Sequence, residues 1–335
     1  MKQVWYAAKD TIEVRDVPEP TPGYGEIKVK VAYAALCATD IHMVTMGILG
    51  AKPPRPLGHE ASGVVAELGP FTESSGLKVG DKVVVNTRGQ CGMCVECKSG
   101  RGQYCLNAKP PAAFAEYLTI HASAVYKVPD DADLKHYALI EPMACCIRAM
   151  DLAAIRHGET VLLSGCGGIG MILLNMILLS GAASITVSEP VAGKRETALA
   201  MGAQYAIDPL KEDFVEKAME ITNGQGFDHI FEASGVASTA VPCTKAIAKC
   251  GKITYFAVFS PSFEMPLNLY ELYRREASVQ TVFSSPSIFP RAIRLMPRTQ
   301  MDKVVGAVVP LANALDAFDL FRKSIYPKII LECQP

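Results

Sequence analysis

Residues 160–170 read TVLLSGCGGIG, an apolar run that leads directly into a glycine-rich turn. The run predicts a buried strand, and the apolar residues that follow Gly170 predict a helix. Gly165, Gly167 and Gly170 stand at the three glycine positions of the G-x-G-x-x-G pattern. At such a junction glycines let the backbone approach a pyrophosphate at the positive end of a helix. The stretch therefore predicts a dinucleotide site. The alternative is that these glycines only allow a tight helix-strand contact.

An acidic residue follows at the expected distance. Glu189 closes the next predicted strand, nineteen residues after Gly170, where a carboxylate accepts hydrogen bonds from a ribose diol and repels the 2′-phosphate of NADP. The pattern favours NAD. Lys194 and Arg195 can reach a phosphate, but at the start of a helix we expect them to face solvent or the adenine. The residues assigned to the cofactor are Gly165, Gly167, Gly168, Ile169, Gly170, Glu189 and Arg195.

Further along the chain, strands and helices alternate, which predicts a parallel sheet. The predicted strands are 160–164, 183–188, 205–207, 227–233 and 252–259, with helices from 168, from 191, over 211–222 and over 241–249. Before Pro142 the pattern differs, because short β-type runs at 27–33, 63–68 and 82–86 are separated by turns rich in Pro and Gly. We therefore predict an α/β protein in which a mostly β domain accompanies a doubly wound parallel sheet.

Composition excludes several classes of function. The chain has 335 residues, enough for about two domains, and its 33 Lys and Arg balance 34 Asp and Glu, so no nucleic-acid partner is expected. Residues 160–188 contain no charged side chain, which is also typical of a membrane-spanning segment. However, glycines and the pair Ser180-Gly181 interrupt that run, so a buried strand, turn and helix explain it better.

Four cysteines form a compact group. Cys91, Cys94, Cys97 and Cys105 follow one another with two, two and seven residues between them. This spacing predicts a structural zinc site, in which protein fills all four positions. Unrelated cysteines in a loop are the alternative. A disulfide knot is disfavoured because the chain has an odd total of eleven cysteines and no signal peptide, which suggests a cytoplasmic location.

A second set of candidate ligands is dispersed: Cys37, His59, Glu60 and Glu141. Cysteine, histidine and carboxylate are the ligands of a catalytic zinc, which keeps one position open for substrate. Taken singly, Cys37 would more often be a small buried hydrophobic residue and His59 a hydrogen-bonded core residue. Their combination favours a metal centre.

Together these segments resemble the zinc-dependent medium-chain dehydrogenases of the alcohol dehydrogenase superfamily, and in particular the sorbitol and threonine dehydrogenase branch. The resemblance also includes the segments 37–42, 114–117 and 202–203. It implies a GroES-like catalytic domain over 1–145 with the zinc lobe at 91–105, a Rossmann domain over 146–284, and a C-terminal segment, 285–335, that returns to the catalytic domain. A catalytic cleft between the domains and a homotetramer or homodimer are also implied.

The resemblance assigns roles to individual residues. Cys37, His59 and Glu60 are the ligands that we favour, with Glu141 close by and able to exchange. Thr39 is implied to bond the reacting oxygen, and His42 to receive its proton. The alternatives are that Thr39 only caps a helix that begins near Asp40 and that His42 lies on an exposed face. Asp40 is expected to orient a ligating imidazole.

The functional hypothesis is an NAD-dependent and zinc-dependent oxidoreductase with one catalytic and one structural zinc per chain. It would interconvert a secondary alcohol and a ketone on a small molecule, and the pattern leaves a polyol, a sugar derivative and an amino alcohol open. The alternative is a zinc-independent quinone or enoyl reductase, or a non-catalytic structural relative. Such proteins usually lack the zinc ligands.

Overall fold

The structure, a computed structural model, describes residues 1–108, 112–285 and 288–334. Its strands are β1 (Lys2–Ala8), β2 (Thr11–Asp16), β3 (Glu26–Ala35), β4 (Arg55–Pro56), β5 (Glu60–Leu68), β6 (Lys82–Asn86), β7 (Tyr117–His121), β8 (Val125–Lys127), β9 (Thr160–Ser164), β10 (Ser184–Ser188), β11 (Tyr205–Ile207), β12 (Phe227–Glu232), β13 (Ile247–Tyr255), β14 (Ser278–Thr281), β15 (Val305–Pro310) and β16 (Lys328–Glu332).

The α-helices are α1 (Ala38–Met46), α2 (Val95–Lys98), α3 (Leu134–Tyr137), α4 (Ile140–Ala153), α5 (Gly168–Leu178), α6 (Ala192–Met201), α7 (Phe214–Ile221), α8 (Ala237–Ala246), α9 (Leu269–Arg275), α10 (Phe289–Leu295) and α11 (Ala314–Arg322). Short 3-10 helices lie at Ile48–Gly50, Glu73–Ser75, Gly102–Tyr104, Ala122–Ala124, Met296–Arg298, Met301–Lys303 and Leu311–Asn313. The chain divides into two compact units. The first comprises Met1–Ala144, Ser285–Arg298 and Val305–Pro335, and the second comprises Cys145–Ser284 and Thr299–Val304.

The first unit is mainly β structure. A seven-stranded sheet has the order β15-β16-β3-β5-β6-β8, with β7 also paired to β3, and a three-stranded sheet has the order β2-β1-β4. The sequence of β3 explains its place at the centre, because Ile27, Val29 and Val31 are buried while Lys28 and Lys30 alternate with them. In this sheet β16, near the C-terminus, pairs with the end of β3, which pairs on its other side with the start of β5.

The second unit is built on one parallel sheet with the order β11-β10-β9-β12-β13-β14. The chain moves outward from β9 to β10 and β11, and then crosses to β12 on the other side. The order therefore reverses between β9 and β12, and ligands of such sheets bind in the crevice at the carboxyl ends of those two strands. The predicted α/β fold, which comprises a Rossmann parallel sheet and a mostly β domain, is confirmed.

The charge-free run at 160–188 folds as β9, α5 and β10, whose residues are largely buried. Both faces of the parallel sheet are covered, so its strands need no polar side. Within the described ranges, no helix has the length and apolar character that crossing a membrane requires.

One predicted helix and the strand after it are misplaced. The strand predicted over 252–259 is β13, which spans Ile247–Tyr255. The helix predicted over 241–249 is α8, which ends at Ala246, and β13 begins at the next residue. The register of β13 against β12 shifts, so that Ile247 pairs with Phe227 but Lys252 pairs with His229. The residues between Ile247 and Lys252 form an irregular bulge, and apolar periodicity does not distinguish such a bulge from the end of a helix.

Candidate metal centre and dinucleotide crevice

Asp40 connects the two segments that carry candidate metal ligands. Cys37 is the N-cap of α1, and Asp40 lies in the first turn of that helix, fully buried. The Oδ2 atom of Asp40 accepts from the Cys37 amide at 3.2 Å, and Oδ1 accepts from the Gly58 amide at 3.3 Å. Oδ1 also lies 3.2 Å from Nδ1 of His59. Because Nδ1 is held by a carboxylate, Nε2 is the nitrogen left to bind a metal.

Three donors meet in this unit. The ligand atoms of Cys37, His59 and Glu60 all lie within 4.8 Å of one another. Burial lowers the pKa of His59, but the charges of Asp40 and Cys37 outweigh it and hold that pKa well above its usual value. The negative groups around His59 thus favour a positive charge between the three donor side chains. A thiolate, an imidazole and a carboxylate at this separation fit a zinc ion with one position open.

A lysine distant in sequence completes the centre. The Nζ atom of Lys328, at the start of β16, lies 2.7 and 2.6 Å from the two carboxylate oxygens of Glu60. It also donates to the Leu36 carbonyl at 2.8 Å. Burial raises the pKa of Glu60 to about 7, against the opposing charge of Lys328. Glu60 is therefore held by a buried cation, and a metal would share this carboxylate with it.

Glu141 lies near the centre but outside the cluster of three. It stands in the first turn of α4 and is half-buried. Its charge contributes to the raised pKa of Glu60, so the two carboxylates are electrostatic neighbours. The structure thus brings together Cys37, His59 and Glu60, and places Glu141 beside them.

The two residues assigned to proton transfer both lie on α1. Thr39 is not the helix cap, since the N-cap is Cys37. The Nδ1 atom of His42 is buried and has no hydrogen-bond partner among the described residues. Burial also lowers the pKa of His42. This imidazole is consequently neutral near pH 7 and has a nitrogen available to accept a proton.

The second cysteine cluster is compact. The Sγ atoms of Cys91, Cys94, Cys97 and Cys105 lie within 4.8 Å of one another. Backbone amides point at the sulfurs: the Cys94 amide donates to Cys91 at 3.4 Å, and the Cys91 amide donates to Cys105 at 3.3 Å. Hydrogen bonds from the Met93 and Cys94 amides lower the pKa of Cys91 to about 6. Amide hydrogen bonds also lower the pKa of Cys94, whereas desolvation raises the pKa of Cys97 to about 12. Four thiols this close together fit a closed, tetrahedral zinc site.

The glycines of 165–170 meet different steric demands. Gly165 has φ +98°, and a Cβ on it would lie 2.8 Å from the Ser234 nitrogen. A Cβ on Gly170 would lie 2.0 Å from the Gly165 oxygen. Both positions therefore require glycine for close backbone packing. At Gly167, the N-cap of α5, a Cβ would instead point into open space, with no atom of the described residues within 4 Å. Gly167, Gly168 and Ile169 are half-buried, so a phosphate can approach this turn and the start of α5.

Glu189 is fixed at the end of β10. It is buried, and its carboxylate accepts from the Cys166 amide at 2.8 Å and the Val191 amide at 3.0 Å. Arg195 donates to the Glu189 carbonyl at 2.6 Å and pairs with Asp208 at 2.8 Å. Lys194 is buried. Of the two alternatives expected for these cations, the structure does not support full exposure to solvent, because α6 packs one side of its first turn against the sheet. That they face the adenine stays a prediction.

Comparison with known proteins shows the family to which the chain belongs. Residues 23–130 match the family model "Alcohol dehydrogenase GroES-like domain", and residues 168–298 match "Zinc-binding dehydrogenase". An L-threonine 3-dehydrogenase from Pyrococcus abyssi is 34% identical over 264 residues, which cover 76% of this chain and 75% of that protein. The chain belongs to the zinc-binding alcohol dehydrogenase family.

Other members of this dehydrogenase family match over longer stretches. A sorbitol dehydrogenase from Bacillus subtilis is 29% identical over 85% of this chain and 82% of its own length. A Clostridium scindens protein assigned to the zinc-binding dehydrogenases superposes with a TM-score of 0.93 at 33% identity, covering 99% of both chains. A Sinorhizobium meliloti protein with the same assignment, solved with NADP bound, gives 0.91 at 28% identity, covering 99% of this chain and 98% of that one. The predicted family is confirmed, and the zinc-independent or non-catalytic alternative is not favoured.

Sequence reasoning missed Lys328. It lies 268 positions from Glu60, and no motif connects them. The available signal was weak: a lysine that begins the otherwise apolar run Lys328–Leu331. A charge at the start of a fully buried strand needs a partner, but sequence alone does not identify which acid that is.

Proposed function

We propose that this dehydrogenase oxidises the secondary alcohol of a small polar substrate to a ketone, with NAD as the hydride acceptor. The observation that carries the proposal is the set of three donors, Cys37, His59 and Glu60, within 4.8 Å of one another. The names of its relatives support the substrate class: L-threonine 3-dehydrogenase, sorbitol dehydrogenase and D-arabitol-phosphate dehydrogenase. Each is named for a substrate with a hydroxyl group beside other polar groups, so a polyol, a sugar derivative or an amino alcohol is the expected substrate.

Cys37, His59 and Glu60 would hold the catalytic zinc, with Glu141 close enough to exchange. When bound, the metal supplies Lewis-acid polarisation of the alcohol oxygen and the nicotinamide accepts the hydride. The chain's own part is to orient these ligands. Asp40 holds Nδ1 of His59 at 3.2 Å, and Lys328 holds both oxygens of Glu60.

Removal of the alcohol proton is assigned to residues of α1. Thr39 would accept a hydrogen bond from the substrate hydroxyl, and His42 would take the proton onward. The buried Nδ1 of His42 has no partner among the described residues, and burial lowers the pKa of this imidazole. Both features favour a neutral ring that can accept a proton near pH 7.

NAD is proposed to lie across the carboxyl ends of β10, β9 and β12, with its pyrophosphate at 165–170. Glu189 would accept hydrogen bonds from the adenosine ribose, and its buried charge disfavours a 2′-phosphate. The second zinc would be structural and held by Cys91, Cys94, Cys97 and Cys105. Because Arg195 is already paired with Asp208, its proposed part in cofactor binding is to support the end of β10.

We also propose that the chain forms a homotetramer or homodimer in a reducing cytoplasm. β14 is an edge strand, and Tyr270 and Tyr273 on the neighbouring α9 are 65% and 80% exposed. An edge strand and exposed aromatic side chains favour association. None of the eleven cysteines forms a disulfide, which supports the proposal of a reducing compartment. Light scattering of the purified chain measures the mass directly, and a monomer would contradict the proposed association.

The experiment that tests the function is a substrate panel. Polyols, sugar acids and amino alcohols are offered to the zinc-loaded chain with NAD, and NADH absorbance is recorded. Cys37→Ser serves as the control, since it removes one metal ligand. Oxidation by the native chain and none by the variant is the expected result. Quinone or enoyl reduction that persists in Cys37→Ser, without any alcohol oxidation, would contradict the proposal.

A further inference from the structure

The loop that follows β12 lies beside the glycine turn and is held in place by a buried carboxylate. Glu232 is the last residue of β12 and is fully buried. It is paired in register with Ser164, the last residue of β9. The loop that follows Glu232 thus begins beside the loop that follows β9. These two loops flank the reversal point of the sheet, where a dinucleotide would bind.

Glu232 accepts hydrogen bonds from neutral donors on the loop that follows it and on the first turn of α8. Its Oε1 atom accepts from the Ser234 amide at 3.0 Å, from the Ser234 hydroxyl, and from the Thr239 hydroxyl at 2.9 Å. Its Oε2 atom accepts from the Gly235 amide at 3.2 Å. An ionised carboxylate offers only acceptors, and therefore satisfies all of these donors at once. A neutral amide in its place would direct N–H groups at one side of this network.

The loop held in this way packs directly on the glycine turn. The Ala233 amide donates to the Ser164 carbonyl at 2.8 Å. Gly165 approaches the Ser234 backbone so closely that a Cβ on Gly165 would lie 2.8 Å from the Ser234 nitrogen. The other side of the loop is open, since Ser234 and Val236 are exposed. Glu232 therefore holds the loop from its buried side, and the exposed side of the loop faces the crevice.

The strand order indicates which half of the cofactor this loop meets. Glu189, proposed to hold the adenosine ribose, directly follows β10 on one side of β9, whereas Glu232 ends β12 on the other side. A dinucleotide whose pyrophosphate lies over β9 extends its nicotinamide half toward β12. We propose that Glu232 is a positioning residue for the nicotinamide half of NAD, acting through the loop 233–235. This inference rests on the proposed dinucleotide site.

The test compares Glu232→Gln with Asp228→Asn. Asp228 lies on the same strand, and its carboxylate accepts from the Thr160 amide at 2.8 Å and the Thr160 hydroxyl at 2.9 Å. Thr160 begins β9, so the control removes a similar hydrogen-bonded carboxylate at the opposite, amino-terminal edge of the sheet. Dissociation constants are measured by calorimetry for NADH and for AMP, which carries only the adenosine half.

Glu232→Gln should weaken NADH binding about tenfold, in line with the loss of a charged hydrogen-bond acceptor, and leave AMP binding within about twofold. Asp228→Asn should leave both constants unchanged. Thr239→Ala removes one donor without altering the carboxylate and should weaken NADH about twofold to threefold; it provides the same test if Glu232→Gln does not fold.

The possible failures can be told apart. If the native chain binds neither NADH nor AMP, the proposed dinucleotide site is wrong. Native-like NADH binding by Glu232→Gln and Thr239→Ala would overturn the positioning role alone. An equal loss of NADH and AMP affinity in Glu232→Gln, matched by Asp228→Asn, would also overturn it, because the carboxylate would then only stabilise the sheet.

Discussion

Replacing Lys328 by Met removes the counter-ion of a fully buried carboxylate. In the native chain the ammonium donates to both Glu60 oxygens, at 2.7 and 2.6 Å, and to the Leu36 carbonyl at 2.8 Å. Lys328 is 3% exposed and Glu60 is 0% exposed, so water does not replace the lost partner. Breaking a buried pair from one side costs about 3–5 kcal/mol. We expect the free energy of unfolding of the first unit to fall by about that amount in Lys328→Met.

The assay follows urea unfolding of the metal-free chain by tryptophan fluorescence, because a zinc ion on Glu60 would act as a second counter-ion and mask the loss of Lys328. Trp5 is the single tryptophan and lies in β1 of the same unit as Lys328, so it reports on the unit that is perturbed. Lys2→Met is the matched control, because Lys2 pairs with Asp16 at 3.3 Å with both side chains well exposed. The control should lose less than about 1 kcal/mol. A Lys328→Met variant no less stable than Lys2→Met would refute the reasoning from burial.

Three further changes test other parts of the account. Cys94→Ser removes one ligand from the closed thiolate cluster and should lower both the melting temperature and the zinc content; unchanged zinc content would argue against a metal there. His42→Gln should slow alcohol oxidation by about tenfold to a hundredfold. Since burial lowers the pKa of His42, the native rate should fall only below about pH 6.5, and a variant with the native rate and pH profile would exclude the relay. Glu189→Ser should lower the ratio of kcat/KM for NAD over NADP on the order of a hundredfold. A native chain that already prefers NADP would contradict the assignment of Glu189.

Local motifs were predictable because short spacing largely determines their geometry. The glycines of 165–170 follow a buried strand and begin a helix, and that context alone predicts a parallel sheet with a phosphate-binding turn. The four cysteines are likewise separated by only a few residues, so their sulfurs must lie close together. The fold class and the family were predicted on this basis and are confirmed.

Features that depend on distant pairing were not predictable. Lys328 meets Glu60 only because β16 pairs with β3, which also pairs with β5, and apolar periodicity contains no information on which strands pair. The end of α8 was misplaced for a related reason, since the bulge in β13 depends on its register with β12. The sequence predicted that Asp40 orients an imidazole. It did not predict that Asp40 also accepts a hydrogen bond from the Gly58 amide, because that contact depends on the three-dimensional fold.

The central claim is that Cys37, His59 and Glu60 hold a zinc ion that is required for alcohol oxidation. The most direct test is to measure zinc per chain together with turnover, for the native protein and for Cys37→Ser. We predict two zinc ions per chain in the native protein, one for each ligand cluster. Cys37→Ser should retain one zinc ion and the native fold but show no alcohol oxidation. A Cys37→Ser variant that keeps two zinc ions and near-native turnover would contradict the claim.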